Sequence, residues 1–177
     1  MKESAVCGLR CFALFLVSRD EYERIRRGLP ACVIRRAVGG GVVLLYPRGC
    51  SVVPEWVGER EVVVLWSSLR WLIEKLWGSG WEVRVYLRDD IETKVRVGGG
   101  FSNFREYLDA VEDAVSGLMV WPSGYPDVAH YLKVWFRPPG RSAWAAIRYT
   151  SVFCFDDAFL GSGYFDEFLR ALLSVLR

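Results

Sequence analysis

Basic and aromatic side chains recur at alternate positions in three segments of this chain. That spacing gathers them on one side of an extended backbone. Glu82, Arg84, Tyr86 and Arg88 share one parity, Glu92, Lys94 and Arg96 a second run, and Tyr131, Lys133, Trp135 and Arg137 a third. Trp144 and Arg148 extend the set with the same parity in a last hairpin. If these segments are neighbouring strands, their polar sides merge into one surface of arginine, lysine, tyrosine and tryptophan. Such a surface suits single-stranded nucleic acid. Unpaired bases stack on aromatic rings for about 1–3 kcal/mol each, and cations between them neutralise the backbone. Duplex DNA fits less well, because no basic recognition helix is present. The same composition also suits a solvated pleat or a contact with another protein. The expectation is a non-enzymatic nucleic-acid-binding accessory protein, with a protein-interaction subunit or homodimer as the alternative.

Catalysis has less to draw on. His130 is the single histidine, so a Ser-His-Asp or Cys-His site has to use it, and no G-x-S-x-G elbow accompanies it. The order His130-Tyr131-Leu132-Lys133-Val134 resembles the histidine strand of tRNA-splicing endonucleases. The downstream lysine that such chemistry needs is absent, so the resemblance implies at most a non-catalytic relative. Glu106, Asp109 and Asp113 follow helical spacing, which reads as a solvated acidic face, and Asp156-Asp157 has no partner at ligand spacing. The triple glycines 39–41 and 98–100 lack both the P-loop ending and the G-x-G-x-x-G spacing. No catalytic group, metal site or cofactor is assigned.

Cys7, Cys11, Cys32, Cys50 and Cys154 fit no zinc pattern and read mostly as small buried apolar residues. In a thermophile an internal disulfide becomes plausible even in the cytoplasm. Lys2, Lys75, Lys94 and Lys133 are the only lysines among 23 basic residues, so arginine, which stacks and forks, supplies most of the positive charge. The net charge of +2 provides no bulk attraction to nucleic acid or membrane.

The elements that must position the strand face follow from periodicity. Ser18 and Glu21 form a capping box for a helix over 19–28, with Val17 and Tyr22 as a hydrophobic staple. A second helix follows Ser67 or Ser68, with Leu69, Leu72, Ile73 and Leu76 on one face. A third follows Ser102, with Phe104, Leu108, Val111 and Val115 as its stripe, and a largely apolar fourth starts near Tyr164 as a central packing element. Strands are expected over 5–16, 31–37, 41–46, 60–66, 81–88, 91–97, 130–137 and 144–155. The unbroken runs 42–46 and 62–66 imply burial on both faces, and Asp89-Asp90 implies a hairpin. Residues 5–17 are interrupted by Arg10 and lack a small-residue cleavage site, so they read as a buried strand rather than a leader. No apolar run reaches the ~18 residues of a membrane span. Together these predict one α+β domain over 1–177, with a mostly antiparallel sheet on four helices, no membrane contact and a cytoplasmic location.

Overall fold

The structure, a computed structural model, describes residues 9–50, 53–88, 92, 95, 103–116 and 127–176. Ser18 ends β1 (Leu9–Ser18) and starts α1 (Arg19–Ile25). The Ser18 hydroxyl accepts from the Glu21 amide and the Glu21 carboxylate accepts from the Ser18 amide, the expected reciprocal cap. Val17 and Tyr22 then meet in one apolar cluster, and a 3-10 turn over Arg26–Gly28 ends the helical stretch.

β2 (Ile34–Val38) and β3 (Gly41–Pro47) form a hairpin across Gly39 and Gly40. Gly39 takes φ +58°, which glycine reaches without a steric cost. At Gly41 a Cβ would stand 3.0 Å from the Val17 carbonyl oxygen, so β3 reaches the end of β1 only without a side chain there. The chain continues through α2 (Glu55–Gly58), α3 (Trp66–Gly78), β4 (Glu82–Leu87) and α4 (Phe104–Ser116). A 3-10 turn (Val128–Tyr131) leads into β5 (Leu132–Arg137), β6 (Ala145–Arg148), β7 (Val152–Asp156), α5 (Asp157–Leu160) and α6 (Gly163–Val175).

The strands form one seven-stranded sheet of order β2-β3-β1-β7-β6-β5-β4, antiparallel at every step. Its inner face carries Phe12, Leu14, Val43, Leu45, Val134, Phe136 and Phe155 into the main core with α3, α4 and α6. Among the described residues six phenylalanines lie fully buried, and Phe155, Phe159, Phe165 and Phe168 form a ring cluster. The apolar α6 is a central packing element, with Phe165, Phe168, Leu169, Leu172 and Leu173 buried. On the outer face, α1 and α2 cover β1 and β3 over Phe15, Val42, Leu44 and Tyr46. β3 is therefore buried on both sides, as its unbroken apolar run requires. This is one compact α+β domain. Among the described residues no helix is long and apolar enough to cross a membrane.

Four expectations are corrected. First, α3 begins at Trp66, before Ser67, because the Asp127 carboxylate, from 61 residues away, accepts the Trp66 amide. The same oxygen accepts from the Ala129 amide at 3.1 Å, so one carboxylate starts both helical turns. Second, residues 60–65 make a single bridge, Phe15 to Glu61, rather than a strand buried on both sides. Val62, Val64 and Trp66 point inward while Val63 and Leu65 are exposed, so the segment lies along a core edge. Third, Glu92 and Val95 are helical: the Glu92 amide donates to the Arg88 carbonyl at 2.9 Å, a helical closure. β4 pairs with β5, and the expected hairpin at Asp89-Asp90, with the rest of 89–97 apart from Glu92 and Val95, lies outside the described residues. Fourth, four cysteines form disulfides, Cys11 with Cys154 and Cys32 with Cys50. Cys11 and Cys154 are register partners on neighbouring strands, which brings their side chains together.

Candidate nucleic-acid interface

β4, β5 and β6 alternate between two environments. Val83, Val85, Leu132, Val134, Phe136, Ala145 and Ile147 enter the main core, so the intervening side chains emerge on the opposite face. The register aligns them across strands: Glu82 with Arg137, Arg84 with Trp135, Tyr86 with Lys133, and Lys133 with Arg148. Trp144 sits just before β6. Its amide donates to the Asp156 carboxylate at 2.7 Å, and its carbonyl accepts the Asp156 amide at 3.0 Å. The end of β7 thereby fixes the tryptophan beside β5.

A small apolar cluster forms beneath these polar groups. Trp135, Ala146 and Cys154 are buried, with Leu9, Cys11, Tyr86, Trp144 and Val152 packed against them; among the described residues it draws only on the strands and Trp144. Trp135 receives Tyr86 edge-on at 6.4 Å and Trp144 edge-on at 5.8 Å, the T-shaped geometry that aromatic quadrupoles favour. Trp135 is 4% exposed, so its faces are shut to a base and its part is to hold Tyr86 and Trp144 in place.

Half-buried Trp144 is the centre of the outer part of the face. The Arg84 guanidinium lies 5.3 Å and the Arg137 guanidinium 5.0 Å from its ring, both within cation–π range. Glu82 holds this pair, accepting from Arg84 Nε at 2.5 Å and from an Arg137 terminal nitrogen. Burial opposes ionisation of Glu82, but the hydrogen bonds from Arg84 and Arg137 outweigh it and keep the carboxyl below its ordinary range. A carboxylate with a lowered folded pKa contributes stability that is full above its unfolded value of about 4.3 and is lost as pH falls through the folded value. Acidification should therefore release Arg84 and Arg137 from Glu82 while the core stays folded. Tryptophan emission should show a step below about pH 4.3 that is absent in Glu82→Gln. An identical titration in that variant would remove Glu82 from the clamp.

Lys133 has its pKa lowered by burial first and by Arg148 across the strand pair second, so two cations are concentrated at one point of the face. Arg88, just beyond β4, lies 5.2 Å over the Tyr131 ring. Tyr131 does not join the sheet face. It belongs to the 3-10 turn and packs toward the main core, because the alternating register begins only at Leu132. Lys94 and Arg96 lie outside the described residues. The structure thus assembles Arg84, Tyr86, Lys133, Trp135, Arg137, Trp144 and Arg148, with Arg88 and Tyr131 at the margin.

Sequence reasoning did not single out Glu82 as the holder of two arginines, although its cross-strand pairing with Arg137 follows once β4 and β5 are known to be neighbours. Nor did it single out Cys11 and Cys154, whose disulfide lies in the apolar cluster beneath the face. Two acidic positions of α4, Asp109 and Glu112, pair with Arg70 of α3. His130 is exposed and lies 5.9 Å from the Tyr131 ring and 5.9 Å from the Tyr149 ring. Compared with known proteins, the chain matches no family model, no curated protein and no solved structure.

Proposed function

We propose that the outer side of β4–β6 binds single-stranded nucleic acid without catalysing a reaction on it. One observation carries this reading: the strand register collects Arg84, Tyr86, Lys133, Arg137, Trp144 and Arg148 on one face, outside the part of the sheet that α1 and α2 cover. Guanidinium planes stack on bases as aromatic rings do, so Arg84 and Arg137 over Trp144 form a layered platform. Lys133 and Arg148 supply backbone neutralisation beside it. A cytoplasmic setting belongs with this function, and the two disulfides then favour a thermophilic source, where such bonds persist inside cells.

The eight tryptophans make the test direct. A short single-stranded oligonucleotide should quench emission in a saturable, salt-sensitive way. Trp144→Ala should weaken binding about tenfold, within the ~1–3 kcal/mol of one stacked base. Arg84→Ala should weaken it on every sequence and lower the salt slope by about one. No saturable quench at low salt, or equal binding by Trp144→Ala, would remove the proposal.

A second reading, a protein-interaction subunit or homodimer, is favoured by a different surface. Trp71 on α3 is 67% exposed, with Trp77, Val63 and Leu65 also exposed. Large apolar side chains left in water on α3 and the segment before it suit a protein partner.

A further inference from the structure

The turn between β6 and β7 holds Tyr149 at φ +61°, the one non-glycine residue among those described that takes a positive φ. Glycine reaches that region freely, whereas a bulky side chain rarely occupies it. The turn is pinned on two sides. The Tyr149 amide donates to the Leu132 carbonyl at 2.9 Å, and the Thr150 carbonyl accepts the Val64 amide at 2.8 Å. A backbone state suited to glycine is thus imposed on a large ring, and that ring is left 40% exposed. Unfavourable backbone states that their surroundings hold in place cluster at binding sites.

The groups around the ring indicate a ligand with negative charge and flat faces. The Arg148 guanidinium lies 5.9 Å from the Tyr149 ring centroid, within cation–π range. The exposed His130 ring lies 5.9 Å away, tilted by 40°. Tyr131 stands edge-on to His130, with the Arg88 guanidinium over its own ring. Three aromatic rings and two guanidiniums therefore meet where β5 starts and β6 ends. This group continues the sheet face, because Arg148 is the register partner of Lys133 and shares its parity with Trp144. Trp144 and Tyr149 stand five positions apart in the chain, which at ~3.4 Å per residue separates them by about 17 Å. A stacked single strand rises ~3.4 Å per nucleotide, so about six nucleotides reach from one ring to the other.

We propose that Tyr149 and His130 form a second base-stacking site. A single strand then runs along β6 with one base on Trp144, another on Tyr149, and its backbone over Lys133 and Arg148. This assignment rests on the nucleic-acid reading of the β4–β6 face and adds to it the length and path of the bound strand.

The test measures binding of a fluorescein-labelled oligothymidylate octamer to the intact protein by anisotropy. Tyr149→Gly removes the ring and suits the positive φ, so it should stay folded by circular dichroism and bind about tenfold more weakly. Tyr149→Phe keeps the ring and should stay within about twofold of the wild type. The double variant Trp144→Ala/Tyr149→Gly should lose about a hundredfold, since effects at sites this far apart add. If the octamer binds and Tyr149→Gly binds it equally well, the second site is overturned while the nucleic-acid reading stands. A loss in Tyr149→Phe as large as in Tyr149→Gly overturns it too. If the wild type fails to bind the octamer at low salt, the nucleic-acid reading falls and the second site falls with it.

Discussion

Replacing Cys11 and Cys154 together by alanine should lower the free energy of unfolding by about 5 kcal/mol. The estimate follows from the loop that the bond closes, since the two cysteines are 143 residues apart. A cross-link over so long a loop removes a large part of the unfolded chain's freedom, and the loss grows with the logarithm of loop length. Cys32 and Cys50 are only 18 apart, and their replacement should cost about 3 kcal/mol on the same scale. Urea titration without reductant reads both. At a slope of about 2 kcal/mol per molar, the first variant's midpoint should fall by about 2.5 M. The order of the two effects is the sharper test. Equal losses, or a wild type whose midpoint is unmoved by dithiothreitol, would contradict the stabilising role of the long-range bond.

Truncating Phe168 to alanine should cost about 3–5 kcal/mol. This side chain of α6 meets Trp81 at 6.3 Å, Phe136 at 5.4 Å, Phe155 at 5.9 Å and Phe159 at 5.9 Å. It therefore ties the last helix to β5, β7, α5 and the residue before β4. Removing it opens a cavity among large rings that cannot collapse without leaving their rotamers. Trp71→Ala is the matched control. That ring is 67% exposed, and its loss should change stability by less than about 0.5 kcal/mol. Thermal unfolding compares the two directly. A small effect at Phe168, or a large one at Trp71, would refute the packing argument.

The features legible in the sequence are those decided by neighbours along the chain. Ser18 and Glu21 announce a helix start three residues apart, and the five-residue run Val42–Tyr46 announces a strand buried on both sides. The same holds for the alternation in 82–88 and 132–137, which put most of the face residues on one side. What remained hidden depends on distant partners. Ser67 and Ser68 look like helix caps, yet Asp127 closes the α3 start from 61 residues away. The run Val62–Trp66 looks uniformly buried, but its position along a core edge leaves Val63 and Leu65 outside. Parity alone assigned Tyr131 to the face, whereas the 3-10 turn before β5 rotates it inward. Trp135 has the correct parity but is enclosed by Tyr86 and Trp144, a fact that only the register of three strands reveals. No periodicity signals that Cys11 will meet Cys154, because that contact requires the first strand to lie beside the last.

The order of strands has a consequence for how the molecule assembles. β1, β2 and β3 form one antiparallel unit within residues 9–47, and β4 to β7 form another in sequential order across 82–156. The two units join along one line, β1 against β7, where four residue pairs from Leu9–Asp156 to Phe12–Phe153 are in register. The first unit depends on contacts between residues close in sequence, the second closes a loop of 45–55 residues between β4 and β5, and the join closes a far longer one. This seam is therefore the pairing with the highest entropic cost in the sheet, and the Cys11–Cys154 bond, at its register, ties the two half-sheets together covalently.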